Sequence, residues 1–208
     1  MLNLDNLAKA IVATEPFPYF ASSNLLDFAA LQNISADFPD IQTSGVFTLS
    51  DLTYGKTFSQ LIQEIRSSEF ESLIGEKFAV DLSGKPLMIT ARGRCQKKDG
   101  RIHTDSKDKL VTCLLYLNDS AWGSQGGRLR LLRDGNNLKN TIREVSPRGD
   151  NFVAFKRSDH SWHGHEPFEG PRRYIMFNWL KSRVTLAKNI GRHKLSAVFK
   201  RTGYFDGY

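Results

Sequence analysis

From Leu87 onward the sequence consists of short apolar segments, rich in β-branched and aromatic residues, with turn-forming residues between them. The segments cover residues 87–90, 111–117, 128–132, 141–145, 152–155 and 173–179. The intervals between them hold clusters of Gly, Pro, Asn and Asp, which are typical of turns. Short strands at regular spacing indicate a sandwich or a barrel, so we predict a mainly β chain.

The part of the chain before Leu87 has a helical pattern instead. Apolar residues recur at helical spacing over residues 58–65, continue towards Gly75, and also follow candidate helix caps at residues 22–24. We predict an α+β domain in which a double-stranded β-helix, or jelly roll, is supported on one side by these N-terminal helices. The domain is expected to span 1–180, and 181–208 to form a basic extension that is partly helical, with its helix around residues 194–200.

The composition limits the classes of protein to which the chain can belong. Its 208 residues carry a net charge of +7, and much of the excess lies after residue 180, which favours a solvated basic tail over an anion-binding surface. There is no nucleic-acid motif, export signal or apolar stretch of membrane-spanning length, so nucleic-acid and membrane partners are not expected. Cys95 and Cys113 are expected to be free thiols in a cytoplasmic protein, either a monomer or a homodimer.

The triplet His103-Thr104-Asp105 is the clearest candidate for a chemical site. Residues two apart on a strand share a face, so His103 and Asp105 are expected to point together into the mouth of the barrel. A third ligand is expected from the facing sheet, where the candidates are His160, His163 and His165. Two imidazoles and one carboxylate on one side of a metal leave its other positions open, which indicates oxygen-activating non-haem Fe(II).

An arginine after the histidine segment is expected to hold the far end of a chelating oxo acid. A 2-oxo acid with a second carboxylate needs a cation there, and a guanidinium binds a carboxylate through two parallel hydrogen bonds. Arg173 alternates with Ile175, Phe177 and Trp179, the apolar set that we expect to face inward. Arg172 falls on the opposite face, although a slip of one residue in register would exchange the two arginines.

Motifs follow one another at residues 100–105, 111–118, 125–131, 153–155, 162–167 and 173–174. Together they resemble the 2-oxoglutarate and Fe(II)-dependent dioxygenases, in particular the prolyl-4-hydroxylase-like branch that includes the oxygen-sensing prolyl hydroxylases. The likeness runs from about Pro16 to Leu180. It implies Fe(II) as the metal, 2-oxoglutarate as the cosubstrate and molecular oxygen as the oxidant.

The resemblance also implies roles for individual residues. The distal metal ligand is His163, because the family has this histidine four residues before a proline. Arg173 is implied as the anchor of 2-oxoglutarate, Tyr116 as a hydrogen-bonding partner of the same carboxylate, and Leu129 and Phe177 as apolar walls of that pocket. No catalytic side chain is implied beyond the metal ligands.

One part of the family pattern is missing from this chain. Some members have a tyrosine ahead of the first metal ligand, whereas residues 90–98 contain none. We expect Arg92, Arg94 or Gln96 to contact the cosubstrate or the substrate at this place. The alternative is a basic edge strand whose charges oppose aggregation.

The reaction implied by the resemblance is hydroxylation of an aliphatic C–H bond, with a prolyl residue of a protein as the first candidate substrate. The predicted substrate contacts are Trp179, Lys109 and Arg94, of which the first two lie where related enzymes contact peptides. One alternative substrate is a small metabolite or a glycan precursor. A different class of function is a metal-binding jelly roll without turnover.

Overall fold

The computed structural model describes residues 1–118 and 121–191 of the chain. The helices are α1 (Leu4–Lys9), α2 (Phe28–Ala36), α3 (Lys56–Ile65) and α4 (Ser68–Phe78), with a short 3-10 turn at Leu49–Asp51. The strands are β1 (Tyr19–Ser22), β2 (Phe47–Thr48), β3 (Leu87–Cys95), β4 (Lys109–Tyr116), β5 (Leu129–Leu132), β6 (Thr141–Val145), β7 (Phe152–Lys156), β8 (His163–Gly164) and β9 (Gly170–Leu180).

The strands form two antiparallel sheets. The large sheet has the order β1-β7-β4-β9-β3-β2, and the small sheet has the order β6-β5-β8. Side chains of both sheets share one apolar cluster, in which Leu114, Tyr116 and Phe155 of the large sheet meet Leu129 and Leu131 of the small one. Two sheets packed face to face with helices ahead of them confirm the predicted jelly roll of α+β class.

The two faces of the large sheet have different neighbours. On the face that we call the helix face, Cys113, Leu115, Ile175 and Phe177 pack in one cluster with residues of α3 and α4, including Phe70. The opposite face, which we call the barrel face, points towards the small sheet. Because side chains alternate along a strand, consecutive residues within β4, and likewise within β9, lie on different faces of the sheet.

The N-terminal helices begin where side chains can cap them. The Asp27 carboxylate accepts the backbone N–H of Ala30 at 2.7 Å, and the Ser67 hydroxyl accepts that of Phe70 at 3.1 Å. The predicted caps at 22–24 do not start α2, because the chain is still extended through the end of β1 at Ser22. The predicted helix over residues 58–65 is confirmed as the greater part of α3.

Further sequence predictions concern membrane-spanning segments, the cysteines and the end of the chain. None of the helices in residues 1–118 and 121–191 is long and apolar enough to cross a membrane. Cys95 and Cys113 are both buried free thiols, as predicted. Residues 183–191 are helical, and the helix predicted around residues 194–200 lies outside the described residues.

Candidate metal centre

Three predicted ligands, His103, Asp105 and His163, meet at the mouth of the barrel. Their ligand atoms all lie within 4.8 Å of one another. The two histidines face each other across an isolated antiparallel bridge, in which each backbone N–H donates to the other residue's carbonyl oxygen at 3.0 Å. The bridge brings the two imidazole rings to a centroid distance of 4.3 Å. His163 and Asp105 are buried, and His103 is exposed.

Close backbone packing makes this bridge possible. Gly164 follows His163, and a Cβ atom added to it would lie 2.8 Å from the Gly100 carbonyl oxygen and 3.2 Å from the Ile102 Cα atom. A side chain at residue 164 would therefore push the two histidine-bearing segments apart. Arg157 holds the other side of the site by donating its Nε–H to the Asp105 carbonyl oxygen at 3.0 Å.

Hydrogen bonds fix the tautomer of each histidine. Nδ1 of His103 lies 2.8 Å from the Arg101 carbonyl oxygen, and Nδ1 of His163 lies 2.9 Å from that of Ser161. A carbonyl oxygen can only accept, so Nδ1 carries the proton in both rings and Nε2 keeps its lone pair. Backbone partners of this kind orient imidazole rings in metal sites.

The charge state of the buried ligands suits a divalent cation. Burial alone would raise the pKa of Asp105, but Lys109, His163 and the Thr112 hydroxyl outweigh it and hold that pKa well below its usual range. Lys109 donates to Oδ1 at 2.8 Å, and Thr112 donates to Oδ2. Burial lowers the pKa of His163 to about 4. At neutral pH the site therefore offers an ionised carboxylate and a neutral imidazole.

A buried arginine lies further along the barrel face. Arg172 is 2% exposed, and its guanidinium donates from Nε to the Gly127 carbonyl oxygen at 2.7 Å and from Nη2 to the Tyr116 hydroxyl at 3.1 Å. The guanidinium carbon lies 5.2 Å from the ring centre of Tyr116 and 5.1 Å from that of Tyr174. Burial raises the pKa of Tyr116 to about 12, although Arg172 opposes that rise, so its hydroxyl is protonated at neutral pH.

The prediction that Arg173 faces inward is wrong. Arg173 is exposed, and its guanidinium lies over the Phe38 ring at 5.7 Å from the ring centre. The grouping of Arg173 with the apolar residues of β9 is correct, but that set belongs to the helix face. The apolar residues of β9 were expected to be buried inside the barrel. They are buried, but by the N-terminal helices, which cover this face from outside the barrel. Arg172 is the arginine that faces the interior.

Two other predicted site residues also lie on the helix face instead of the barrel face. Phe177 packs against the ring of Phe70 at 5.7 Å on the helix face, so it does not line the barrel interior. Trp179 is fully buried on that face, and its indole N–H donates to a Glu71 carboxylate oxygen at 3.2 Å. Neither residue contacts the space around the candidate metal ligands, which overturns Phe177 as a pocket wall and Trp179 as a substrate contact.

The remaining predicted residues have different positions. Tyr116 and Leu129 lie in the cluster between the two sheets. Lys109 lies at the candidate centre through its ion pair with Asp105. Arg94 is half-buried on β3, beyond an irregularity in its pairing with β9. Thr112, a direct partner of Asp105, was missed, although its even spacing from Tyr116 on β4 predicts that both share a face.

Part of the chain matches a family model in sequence, and the chain is similar to solved structures in fold. Residues 93–181 match the sequence model of the 2OG-Fe(II) oxygenase superfamily. No curated protein matches the sequence. The fold is similar to a prolyl-4-hydroxylase of Pseudomonas putida, with a TM-score of 0.57 and 15% identity over 86% of this chain and 97% of that one.

Two more solved structures have similar folds and contain ligands of interest. One is the viral collagen prolyl hydroxylase of Paramecium Bursaria Chlorella virus-1 in complex with 2-oxoglutarate, with a TM-score of 0.51 and 17% identity over 77% of this chain and 93% of that one. The other is HygX of Streptomyces hygroscopicus with nickel and 2-oxoglutarate, with a TM-score of 0.51 and 12% identity over 79% and 83% of the two chains. At such identities the likeness establishes the fold.

Proposed function

We propose that this chain, of which residues 93–181 match the 2OG-Fe(II) oxygenase superfamily, hydroxylates an aliphatic C–H bond, with a prolyl residue of a protein as the first candidate substrate. It is a non-haem iron dioxygenase whose cofactors are Fe(II), 2-oxoglutarate and molecular oxygen. What we assign to this chain are the residues that hold each of them and the kind of molecule that is oxidised.

Fe(II) is assigned to His103, Asp105 and His163. Two Nε2 lone pairs and one ionised carboxylate form the donor set that non-haem iron enzymes use while leaving positions open for other ligands. The Lys109 ammonium and the Thr112 hydroxyl hold Asp105 in its ionised form. Bound iron supplies the oxygen chemistry, in which one oxygen atom reaches the substrate carbon and the other reaches the oxo acid as it loses carbon dioxide.

The far carboxylate of 2-oxoglutarate is assigned to Arg172 and Tyr116. Both groups are buried, the guanidinium is charged, and the tyrosine hydroxyl keeps its proton for donation. A hydrogen bond between a charged guanidinium and a carboxylate is strong when it is removed from water. Leu129 lies in the same cluster as Tyr116 and is assigned to the apolar wall.

The observation that carries this proposal is that strand β4 links the candidate metal ligands to the anchor formed by Arg172 and Tyr116. On β4, Thr112 bonds to Asp105 and Tyr116 bonds to Arg172, and both side chains are on the barrel face. Four residues of strand separate their Cα atoms by about 13 Å. The candidate metal ligands and the anion anchor therefore belong to one interior surface, as chelation and anchoring of a single diacid require.

A prolyl substrate is proposed from structures of similar fold. Two structures of similar fold are described as prolyl hydroxylases, one from a bacterium and one from a virus. Lys109 remains our proposed substrate contact, because it lies beside the metal ligand Asp105 with 10% of its side chain exposed. Arg94 is kept as a second contact on the strength of its half-buried position on β3.

The reaction is tested by following 2-oxoglutarate conversion to succinate in the purified protein with added Fe(II). We expect turnover in the wild type and none in Asp105→Ala, whereas Asp108→Ala removes a carboxylate three residues further along the chain, outside the assigned ligands, and should keep turnover near the wild-type rate. Turnover by Asp105→Ala at the wild-type rate would show that the ligands are wrong. Mass spectrometry of proline-containing peptides and of metabolite pools then identifies the substrate by the mass gain of one oxygen atom.

A further inference from the structure

The barrel face carries a second arginine with little exposure, Arg92, on β3. Only 13% of its side chain is exposed. In the register of the large sheet, Arg92 lies opposite Tyr174, which in turn lies opposite Tyr116. Arg172 precedes Tyr174 by two residues on the same strand. Both guanidiniums therefore occupy the same end of the barrel face.

The hydrogen bonds of Arg92 leave part of its guanidinium without a partner. Its Nη1 donates to Asp99 Oδ2 at 2.6 Å and contacts Cys95 Sγ at 3.4 Å. Its Nε is buried and has no acceptor among the described residues. A buried N–H without an acceptor costs free energy, and its direction along the guanidinium fork suits one oxygen of a carboxylate.

The charges at this end of the barrel face do not balance. Arg92 and Arg172 carry two positive charges, and within the part of the chain that the structure describes Asp99 is the one carboxylate that bonds to either of them. Tyr116 is protonated and adds no negative charge. One positive charge is thus left unpaired in a buried place, which is unfavourable unless an anion joins it.

We propose that Arg92 is a second anchor for the far carboxylate of the oxo acid, so that two guanidiniums from neighbouring strands, Arg92 of β3 and Arg172 of β9, select a 2-oxo diacid over a 2-oxo monoacid. The inference rests on the proposed function, because it places the cosubstrate on the barrel face. Arg92 is a binding and specificity residue in this arrangement and takes no part in the oxygen chemistry. Asp99 competes with the ligand for this guanidinium, since it accepts a hydrogen bond from Nη1.

The test compares two ligands that share a 2-oxo acid head. 2-Oxoglutarate has a far carboxylate, and 2-oxobutyrate has a hydrogen atom in its place, so that its chain ends in a methyl group. Binding of each to Mn(II)-loaded protein is measured by titration calorimetry, which needs no turnover. In Arg92→Gln we expect the dissociation constant for 2-oxoglutarate to rise about 10- to 100-fold, as for loss of a hydrogen bond to a charged group, while that for 2-oxobutyrate changes less than about threefold.

Two variants separate binding from a structural role of the Arg92–Asp99 pair. Asp99→Asn removes the competing carboxylate, so the preference for 2-oxoglutarate should stay the same or increase. Arg173→Gln removes the exposed arginine next to Arg172 and should leave the preference unchanged. If Arg92→Gln is too unstable to purify, Arg92→Lys keeps the charge without the planar fork and should lower the preference by less than Arg92→Gln is expected to.

The possible results are distinct. An unchanged preference in Arg92→Gln, or in Arg92→Lys where that variant replaces it, overturns the inference and leaves the proposed function intact. A loss of preference in Asp99→Asn as large as in Arg92→Gln also overturns it, because Arg92 would then act through its ion pair alone. A wild-type protein that binds neither oxo acid would overturn the proposed function and this inference together.

Discussion

The two faces of the large sheet use the same strands for opposite purposes. On the helix face, β4 and β9 present Cys113, Leu115, Phe177 and Trp179 to the N-terminal helices. On the barrel face the alternating positions carry Thr112, which bonds to Asp105, and residues of the arginine and tyrosine cluster. Side chains are buried on both faces, but those on the helix face are apolar and several of those on the barrel face are polar or charged. The helix face gains free energy from apolar contact, whereas burying charged groups on the barrel face costs free energy.

This division indicates how a small domain can hold charged groups inside a barrel. The aromatic contacts of Phe70 with Phe177 and Trp179 stabilise the sheet from outside. The barrel face is therefore free to carry residues chosen for binding. Variants on the helix face should change stability, and variants on the barrel face should change ligand binding. The four predictions that follow test this separation in order of decreasing effect.

The largest effect is expected from His163→Ala. It removes an assigned iron ligand, so 2-oxoglutarate turnover should fall below detection, a greater loss than the 10- to 100-fold typical of residues that only support a ligand. Succinate formation measures the effect. His160→Ala is the matched control, since His160 is exposed and lies in the same histidine segment, and it should keep turnover near the wild-type rate. The reverse pattern would move the ligand to His160.

Phe177→Ala should lower the free energy of unfolding by about 3–5 kcal/mol, because it leaves a cavity against Phe70 and Trp179. For a domain of this size the loss corresponds to a fall in Tm of roughly 6–20 °C. Phe28→Ala serves as control, since Phe28 is 67% exposed and should change Tm little. A large change in 2-oxoglutarate affinity of the folded Phe177→Ala protein would contradict the separation of the two faces.

Arg172→Ala should raise the dissociation constant for 2-oxoglutarate by about 10- to 100-fold, because a buried charge-assisted pair is lost. Arg173→Ala, its exposed neighbour, should stay within about twofold of the wild type. Titration calorimetry of the Mn(II)-loaded proteins measures both. A larger effect for Arg173 than for Arg172 would mean that the barrel face does not hold the cosubstrate.

Thr112→Val is the smallest change. It keeps the shape of the side chain but removes the hydroxyl that donates to Asp105, so affinity for Mn(II) or Fe(II) should fall about 10-fold. Thr90→Val is a matched control, because Thr90 is also buried on the large sheet and bonds to the Met176 carbonyl oxygen rather than to a ligand. Equal metal affinities in the two variants would argue against a supporting role for Thr112.

The sequence predicted the candidate ligands more reliably than the pocket around them. His103 and Asp105 lie two residues apart, so strand alternation was enough to place them together. The choice of His163 among three histidines required the family resemblance. The arginine was misassigned for a physical reason: alternation groups residues correctly by face, but it cannot tell whether an apolar face is buried by a second sheet or by helices.

The helices themselves were predictable from local pattern, and their position was not. Residues 58–65 have helical periodicity, which gave α3. Nothing in that pattern states which side of the sheet α3 covers, because this depends on contacts between residues far apart in the chain. The unknown position of the helices affected only the predictions for Phe177, Trp179 and the two arginines, all of which lie on β9.

The backbone bridge between His103 and His163 has a consequence for the lifetime of the folded protein. The two histidines are distant in the chain, and the pair of hydrogen bonds that joins them exists only once the two sheets have closed on each other. A chain that is still folding therefore has no high-affinity metal site to fill, and metal capture becomes a late event. Afterwards, a bound ion favours the native state by mass action and slows the unfolding of the protein. Iron bound at the proposed ligands would then prolong the folded state of each molecule as well as support its activity.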